Sequence, residues 1–105
     1  MTLYTDPRAD EDVVEAGVWL EGLNPGSAAS FVAALNLTLS RPLQNPRSFP
    51  RVNRSPRGRE FRHGLVDGYL FLITYERTAT QFVVWSVGHA RQRSQPGRRR
   101  MRSNP

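Results

Sequence analysis

One change of hydrophobic period, near the middle of the chain, limits its possible folds more than any other feature. Up to about residue 41 the apolar residues recur at helical spacing, and beyond about residue 59 they run in short β-type blocks. A chain that makes helices first and strands afterwards is expected to form an α+β domain, with the helices packed on one side of a sheet. At 105 residues there is room for a single domain. Such a chain buries roughly 65% of its unfolded surface, enough for one modest core.

Each helical block opens on the same kind of punctuation, Asp6-Pro7 and then Asn24-Pro25. A side-chain oxygen at the cap accepts a hydrogen bond from a free N–H of the first turn, and proline at the first helical position gives up a donor that had no partner. After Asp6-Pro7, the residues Ala9, Val13, Ala16 and Leu20 share one helix face. Asp10, Glu11 and Asp12 lie near the positive end of the helix dipole, and Gly22 is the expected stop. After Asn24-Pro25, the residues Ala28, Phe31 or Val32, Leu35 and Leu39 repeat the pattern, and Pro42 predicts an end by residue 41. Two helices separated by only Leu23-Asn24 form a tight antiparallel hairpin. A short strand at Leu3-Tyr4 precedes them.

Residues 42–58 interleave Pro42, Pro46, Pro50 and Pro56 with Arg47, Arg51, Arg54 and Arg57, which reads as an extended loop. A loop that long in a small domain is either functional or mobile. Beyond it, Arg59 to Gly64 predicts a first strand and Asp67-Gly68 a hairpin turn. Tyr69 to Glu76 is apolar on both faces and so reads as a central strand covered on each side. Gln81 to Val87 is a further strand of β-branched and aromatic residues. The expected order is β-α-α-β-β-β: an N-terminal helical hairpin packed on a small antiparallel sheet, one domain over residues 1–92. Residues 93–105 read as an arginine-rich tail, disordered when alone.

Charge is distributed as unevenly as structure. The formal net charge is +6, and all 15 basic residues are arginine. Residues 1–21 hold six acids against Arg8, whereas residues 22–105 hold fourteen arginines against Glu60, Asp67 and Glu76. Such a basic field attracts polyanions or an acidic protein partner. The absence of lysine reads as coding bias, which accounts for residue type but not for clustering. No apolar run approaches the ~20 residues of a membrane span, and the acidic N-terminal stretch lacks a signal-peptide layout. A cytoplasmic protein is therefore expected. With no cysteine and two histidines there is neither a disulfide framework nor a metal-ligand set, and no cofactor is expected.

Three stretches carry a resemblance to a known family. The opening Tyr4-Thr5-Asp6-Pro7-Arg8-Ala9-Asp10-Glu11-Asp12 is similar to a strand–Pro–x–Ala–x–x–Asp/Glu start. Asn24-Pro25-Gly26-Ser27-Ala28-Ala29-Ser30-Phe31 is similar to an "NP..A..F" entry into a second helix. Phe71-Leu72-Ile73-Thr74-Tyr75-Glu76, followed by Val83-Val84-Trp85-Ser86-Val87-Gly88-His89-Ala90-Arg91, is similar to paired strands "YLIFYR" and "V.VL.V.HG.R". In this order, from Tyr4 to Arg91, the chain resembles the RelE/ParE toxins of bacterial type II toxin–antitoxin systems, and specifically their ParE-like, plasmid-stabilisation branch. The resemblance implies one of two activities: some members cleave messenger RNA on the ribosome, and others poison DNA gyrase. It also implies a small cognate antitoxin and hence a hetero-oligomer.

Ribosome-dependent cleavage resembles RNA self-cleavage, which needs a proton acceptor, a proton donor and cations beside the phosphate. Candidate catalytic residues for such a metal-independent endoribonuclease are Arg62, His63, Tyr75, His89 and Arg91, arginine being suited to grip two phosphate oxygens at once. Against this reading, Leu72 stands where the nuclease branch usually places arginine, and Glu76 reverses the charge where the family often has another. A basic cluster could come only from Arg51, Arg54, Arg57 or Arg59. A gyrase-binding toxin without chemistry of its own is therefore preferred, with the ribonuclease as the alternative. A non-toxic basic nucleic-acid-binding module stands third, without a stacking platform or recognition helix.

The remaining motifs have plainer readings. Arg47, Arg51, Arg54, Arg57 and Arg59 form a candidate ribbon for a target or nucleic acid, since the intervening prolines prevent a helical stripe. For His89, a strand-end ring bonded to a backbone carbonyl is favoured over acid–base work. Trp19 and Trp85 are assigned to the core, and Asp10, Glu11, Asp12 and Glu15 to a solvated helix face. The antitoxin is expected to lay a helix or strand across the apolar sheet surface, its acidic side chains meeting the arginines.

Overall fold

A computed structural model describes residues 2–45, 47–53 and 55–90. The elements are β1 (Thr2–Thr5), α1 (Pro7–Leu23), α2 (Ser27–Gln44), β2 (Glu60–Leu65), β3 (Phe71–Arg77) and β4 (Gln81–His89). Class and order follow the expectation. The sheet does not: its order is β1-β4-β3-β2, and it is mixed rather than antiparallel. The β2–β3 and β3–β4 pairs are antiparallel, whereas β1 runs parallel to β4, with Thr2 opposite Gln81 and Thr5 opposite Val84. Hairpin signals specify only neighbours in sequence. A parallel pair needs a long crossover, which the helices and the rest of the sheet supply. Arg91 and the tail 93–105 lie outside the described residues, as does Arg54.

The first helix starts as its sequence dictates. Asp6 Oδ1 accepts the Arg8 backbone N–H at 2.9 Å and the Arg8 Nε–H at 3.0 Å, and Pro7 opens the first turn. The helix ends at Leu23, one residue past Gly22. The start of α2 is a correction. Asn24 and Pro25 lie in the connection, and Gly26 takes the cap position with φ 91°, in the left-handed region open to glycine. The free donors are met from α1 instead: the Glu21 carboxylate accepts the N–H groups of Gly26 (2.8 Å) and Ala28 (3.0 Å).

Pro42 does not end α2. The helix continues to Gln44 with Pro42 buried inside its last turns. Proline in a helix interior costs ~3 kcal/mol through its missing N–H and its clash with the preceding turn. Here the ring lines a tight apolar site with Leu3, Leu39, Tyr75, Phe82 and Val84, and burial there offsets the cost.

The main core lies between the helical hairpin and the sheet. Ala9, Ala16, Phe31, Leu35 and Leu39 meet Phe71, Ile73, Tyr75, Phe82, Val84 and Val87. Phe61, Val83 and Trp85 form a second, smaller cluster with Val52, so β3 and β4 carry buried side chains on both faces. A bulge makes the two sets compatible. Thr74 pairs with Ser86 but Tyr75 with Val84, leaving Trp85 as the extra residue that shifts the alternation of β4.

The arginine–proline loop is shorter and more ordered than expected. It begins only after Gln44, and its middle pairs with β2: the Val52 N–H donates to Phe61 O (2.8 Å) and the His63 N–H to Pro50 O (3.2 Å). The buried Phe49 ring lies on Gly64, where a Cβ would stand 2.9 Å from it. Only glycine admits that contact without displacing the ring.

Candidate functional site

Four of the five candidate catalytic residues are described, and the sheet disperses them. Arg62 and Tyr75 face each other across β2 and β3 on the helix side. His63, the next residue along β2, pairs with Thr74 and points to the opposite face. His89 ends β4 opposite Phe71, four residues or about 13 Å along β3 from Tyr75. Arg91 lies outside the described residues. Of the described candidates, the structure brings together Arg62 and Tyr75 only.

Those two are engaged in packing. The Arg62 Nε–H donates to Glu60 Oε2 and an Nη1–H to Phe49 O, both at 2.7 Å, which ties the loop to β2. Hydrogen bonding from Arg62, with Arg77 and Arg51 nearby, holds the Glu60 carboxyl below its ordinary range. Tyr75 is 1% exposed and sits edge-on to Phe82 and tilted against Phe49. Its buried hydroxyl has no hydrogen-bond partner, as is also true of His63 Nδ1. Desolvation pushes the phenol up to about 12. A sealed, neutral phenol is a poor proton donor at neutral pH.

His89 packs with aromatic rings, edge-on to Phe71 at 5.4 Å and to Trp19 at 6.2 Å. Trp19 departs from its core assignment: it is 54% exposed and shields one side of that cluster, while Trp85 is buried as expected.

The arginine ribbon divides in two. Arg47, Arg51 and Arg57 are exposed. Arg59 instead grips Glu76 through two bonds, Nε–H to Oε2 at 2.8 Å and Nη2–H to Oε1 at 2.7 Å, with its guanidinium 4.7 Å from the Phe61 ring centre. Glu76 Oε1 also accepts the Trp85 indole N–H at 3.1 Å. The acid in place of a family arginine therefore neutralises Arg59 and satisfies a buried indole. Sequence reasoning missed this network. Its signal was a lone acid within an apolar strand, since a buried carboxylate requires partners.

Two surface concavities formed by described residues bear on function. At the β2-start, β3-end corner, an open cleft of about 540 Å³ is lined by Arg51, Arg59, Glu60, Glu76, Arg77 and Thr78. At the opposite edge of the sheet, a groove of about 340 Å³ lies between α1, α2 and β1, with Leu3, Val13, Val14, Val32 and Leu35 in its walls and Asp10 beside them. Among the described residues no group of three or more His, Cys, Asp or Glu side chains is placed to hold a metal ion. No helix there is long and apolar enough to cross a membrane.

A helical hairpin on a four-stranded mixed sheet, with this order of elements, is consistent with an α+β fold of the RelE/ParE type. The sequence model of the family described as "ParE toxin of type II toxin-antitoxin system, parDE" matches residues 3–94, a span that takes in every element but the first residue of β1. The chain belongs to this family of type II toxins, and membership implies a cognate antitoxin. No curated protein matches the sequence.

Proposed function

We propose that this toxin acts in the cytoplasm by binding DNA gyrase, without cleaving RNA, and that its antitoxin neutralises it in a hetero-oligomer. The observation that carries the reading is the dispersal of the acid–base candidates: Tyr75 is sealed in the core, His63 points to the other face, and His89 lies about 13 Å along the sheet. General acid–base catalysis needs its groups within hydrogen-bond reach of one substrate. Leu72, in place of the arginine common in nuclease members, adds no phosphate grip. The apolar groove at α1, α2 and β1 suits the amphipathic segment of an antitoxin.

The experiment measures two activities of the purified protein: inhibition of gyrase supercoiling, and messenger RNA cleavage on ribosomes. Gyrase inhibition that persists in Tyr75→Phe and His89→Ala supports the reading. Ribosomal cleavage lost in Arg62→Ala or His89→Ala overturns it.

A further inference from the structure

The two concavities have opposite chemistry. The groove at α1, α2 and β1 has apolar walls and Asp10 beside them. The corner cleft is lined by three arginines and two glutamates, and Ala79 is its one apolar side chain. Exposed Arg57 adjoins it through Gly58.

Two of its cations reach solvent, Arg51 fully and Arg77 in part. Arg51 is exposed and spends one Nη2–H on Arg59 O at 3.3 Å. Arg77 meets Glu60 at only 3.9 Å, and Glu60 is bonded much more closely by Arg62, at 2.7 Å. Arg59 and Glu76 form the neutral floor. Arg51 is held in place by the pairing of its loop with β2, and Arg77 by the end of β3. A peptide partner takes most of its affinity from apolar and aromatic anchors seated in pockets, which this cleft lacks. A nucleic-acid backbone needs no such anchors, only cations at phosphate spacing, and its interfaces are polar and basic.

From this we infer that the corner cleft is a phosphate-backbone site, with Arg51 and Arg77 as the two gripping residues and Arg57 at its margin, through which the protein binds nucleic acid without reading sequence. The site is independent of the gyrase reading and of the groove at the other edge.

The test is fluorescence anisotropy of the full chain with a fluorescein-labelled 20-base-pair DNA duplex across 50–200 mM salt. Each phosphate contact contributes about 0.9 to the slope of log affinity against log salt. Arg51→Gln/Arg77→Gln should lower that slope by about 2 and the low-salt affinity about tenfold. The charge-matched Arg8→Gln/Arg41→Gln should leave the slope unchanged. Ala79→Glu, on an exposed turn where folding is not at stake, should weaken binding by a similar factor. The inference fails if the slope is unaltered in the cleft variants, or falls equally in the charge-matched control. It also fails if poly-glutamate of equal charge displaces the duplex from the wild type but not from the cleft variant, because the site would then be one for acidic peptides.

Discussion

Asp12, in the second turn of α1, accepts a hydrogen bond from the backbone N–H of Val87, 75 residues later, at 3.0 Å. The reason lies in the unequal lengths of two strands. Four residues of β1 pair with Gln81 to Val84, and the nine-residue β4 continues beyond them. Asp6 N–H donates to Val84 O at 2.9 Å as the chain leaves the sheet, and α1 then crosses the uncovered edge. Asp12 meets a donor there that would otherwise be buried without a partner. It therefore does not belong to the solvated face assigned to its acidic neighbours.

Asp12→Ala should destabilise the fold by about 1–3 kcal/mol, because it leaves the Val87 N–H unsatisfied. Asp12→Asn, which keeps an acceptor oxygen, should recover part of the loss. Urea denaturation followed by circular dichroism measures both.

Removing the Glu76 carboxylate strips two partners at once, Arg59 and the Trp85 indole. Glu76→Gln should cost about 2–3 kcal/mol. That is less than the ~3–5 kcal/mol of a fully buried broken pair, since the Arg59 side chain retains 27% exposure. Glu76→Arg, the residue common in the family, should cost more by setting two guanidinium groups together. The Trp85 emission spectrum reports the same change, against Trp19 as the second emitter.

Tyr75 has its phenol raised, by desolvation first, from 10.0 to about 12. Below pH 10 the phenol is protonated in both folded and unfolded chains and has no effect on the pH dependence. Between pH 10 and about 12 only the unfolded chain ionises, so stability should fall by about 2–3 kcal/mol across that window. Tyr75→Phe should abolish that part of the alkaline loss. At neutral pH it should be neutral or slightly stabilising, since the hydroxyl it removes has no partner.

Glu21 is held below its ordinary value of 4.5 by the N–H groups of Gly26 and then Ala28. A depressed carboxylate contributes stability above its unfolded value and loses it as pH falls through the folded one. Acid should therefore fray the start of α2 in the wild type. Glu21→Gln should lack this acid-dependent step, which amide exchange at Gly26 and Ala28 can follow.

What was legible in the sequence divides along local and distant causes. Asp6-Pro7, the helix faces and the Asp67-Gly68 turn are decided within a few residues, and each appears where its pattern places it. Pro42 and the parallel pairing of β1 depend on partners far along the chain. The ring is retained in α2 by a site built partly from β1, β3 and β4. The candidate site was legible as residue types but not as a constellation. Strand alternation sends Arg62 and His63 to opposite faces, and the role of Glu76 becomes evident only with Arg59 and Trp85 beside it.

The parallel pairing of the first strand with the last has a consequence for synthesis. Thr2–Thr5 finds its hydrogen-bonding partner only once Gln81–Val84 has left the ribosome. Until then the hairpin of α1 and α2 carries Phe31, Leu35 and Leu39 toward strands that do not yet exist. Long-range pairing of this kind closes late and all at once. A chain interrupted before β4 therefore leaves the ribosome with β1 unpaired and the core open where Phe82, Val84 and Val87 should close it, a substrate for proteases rather than a working toxin.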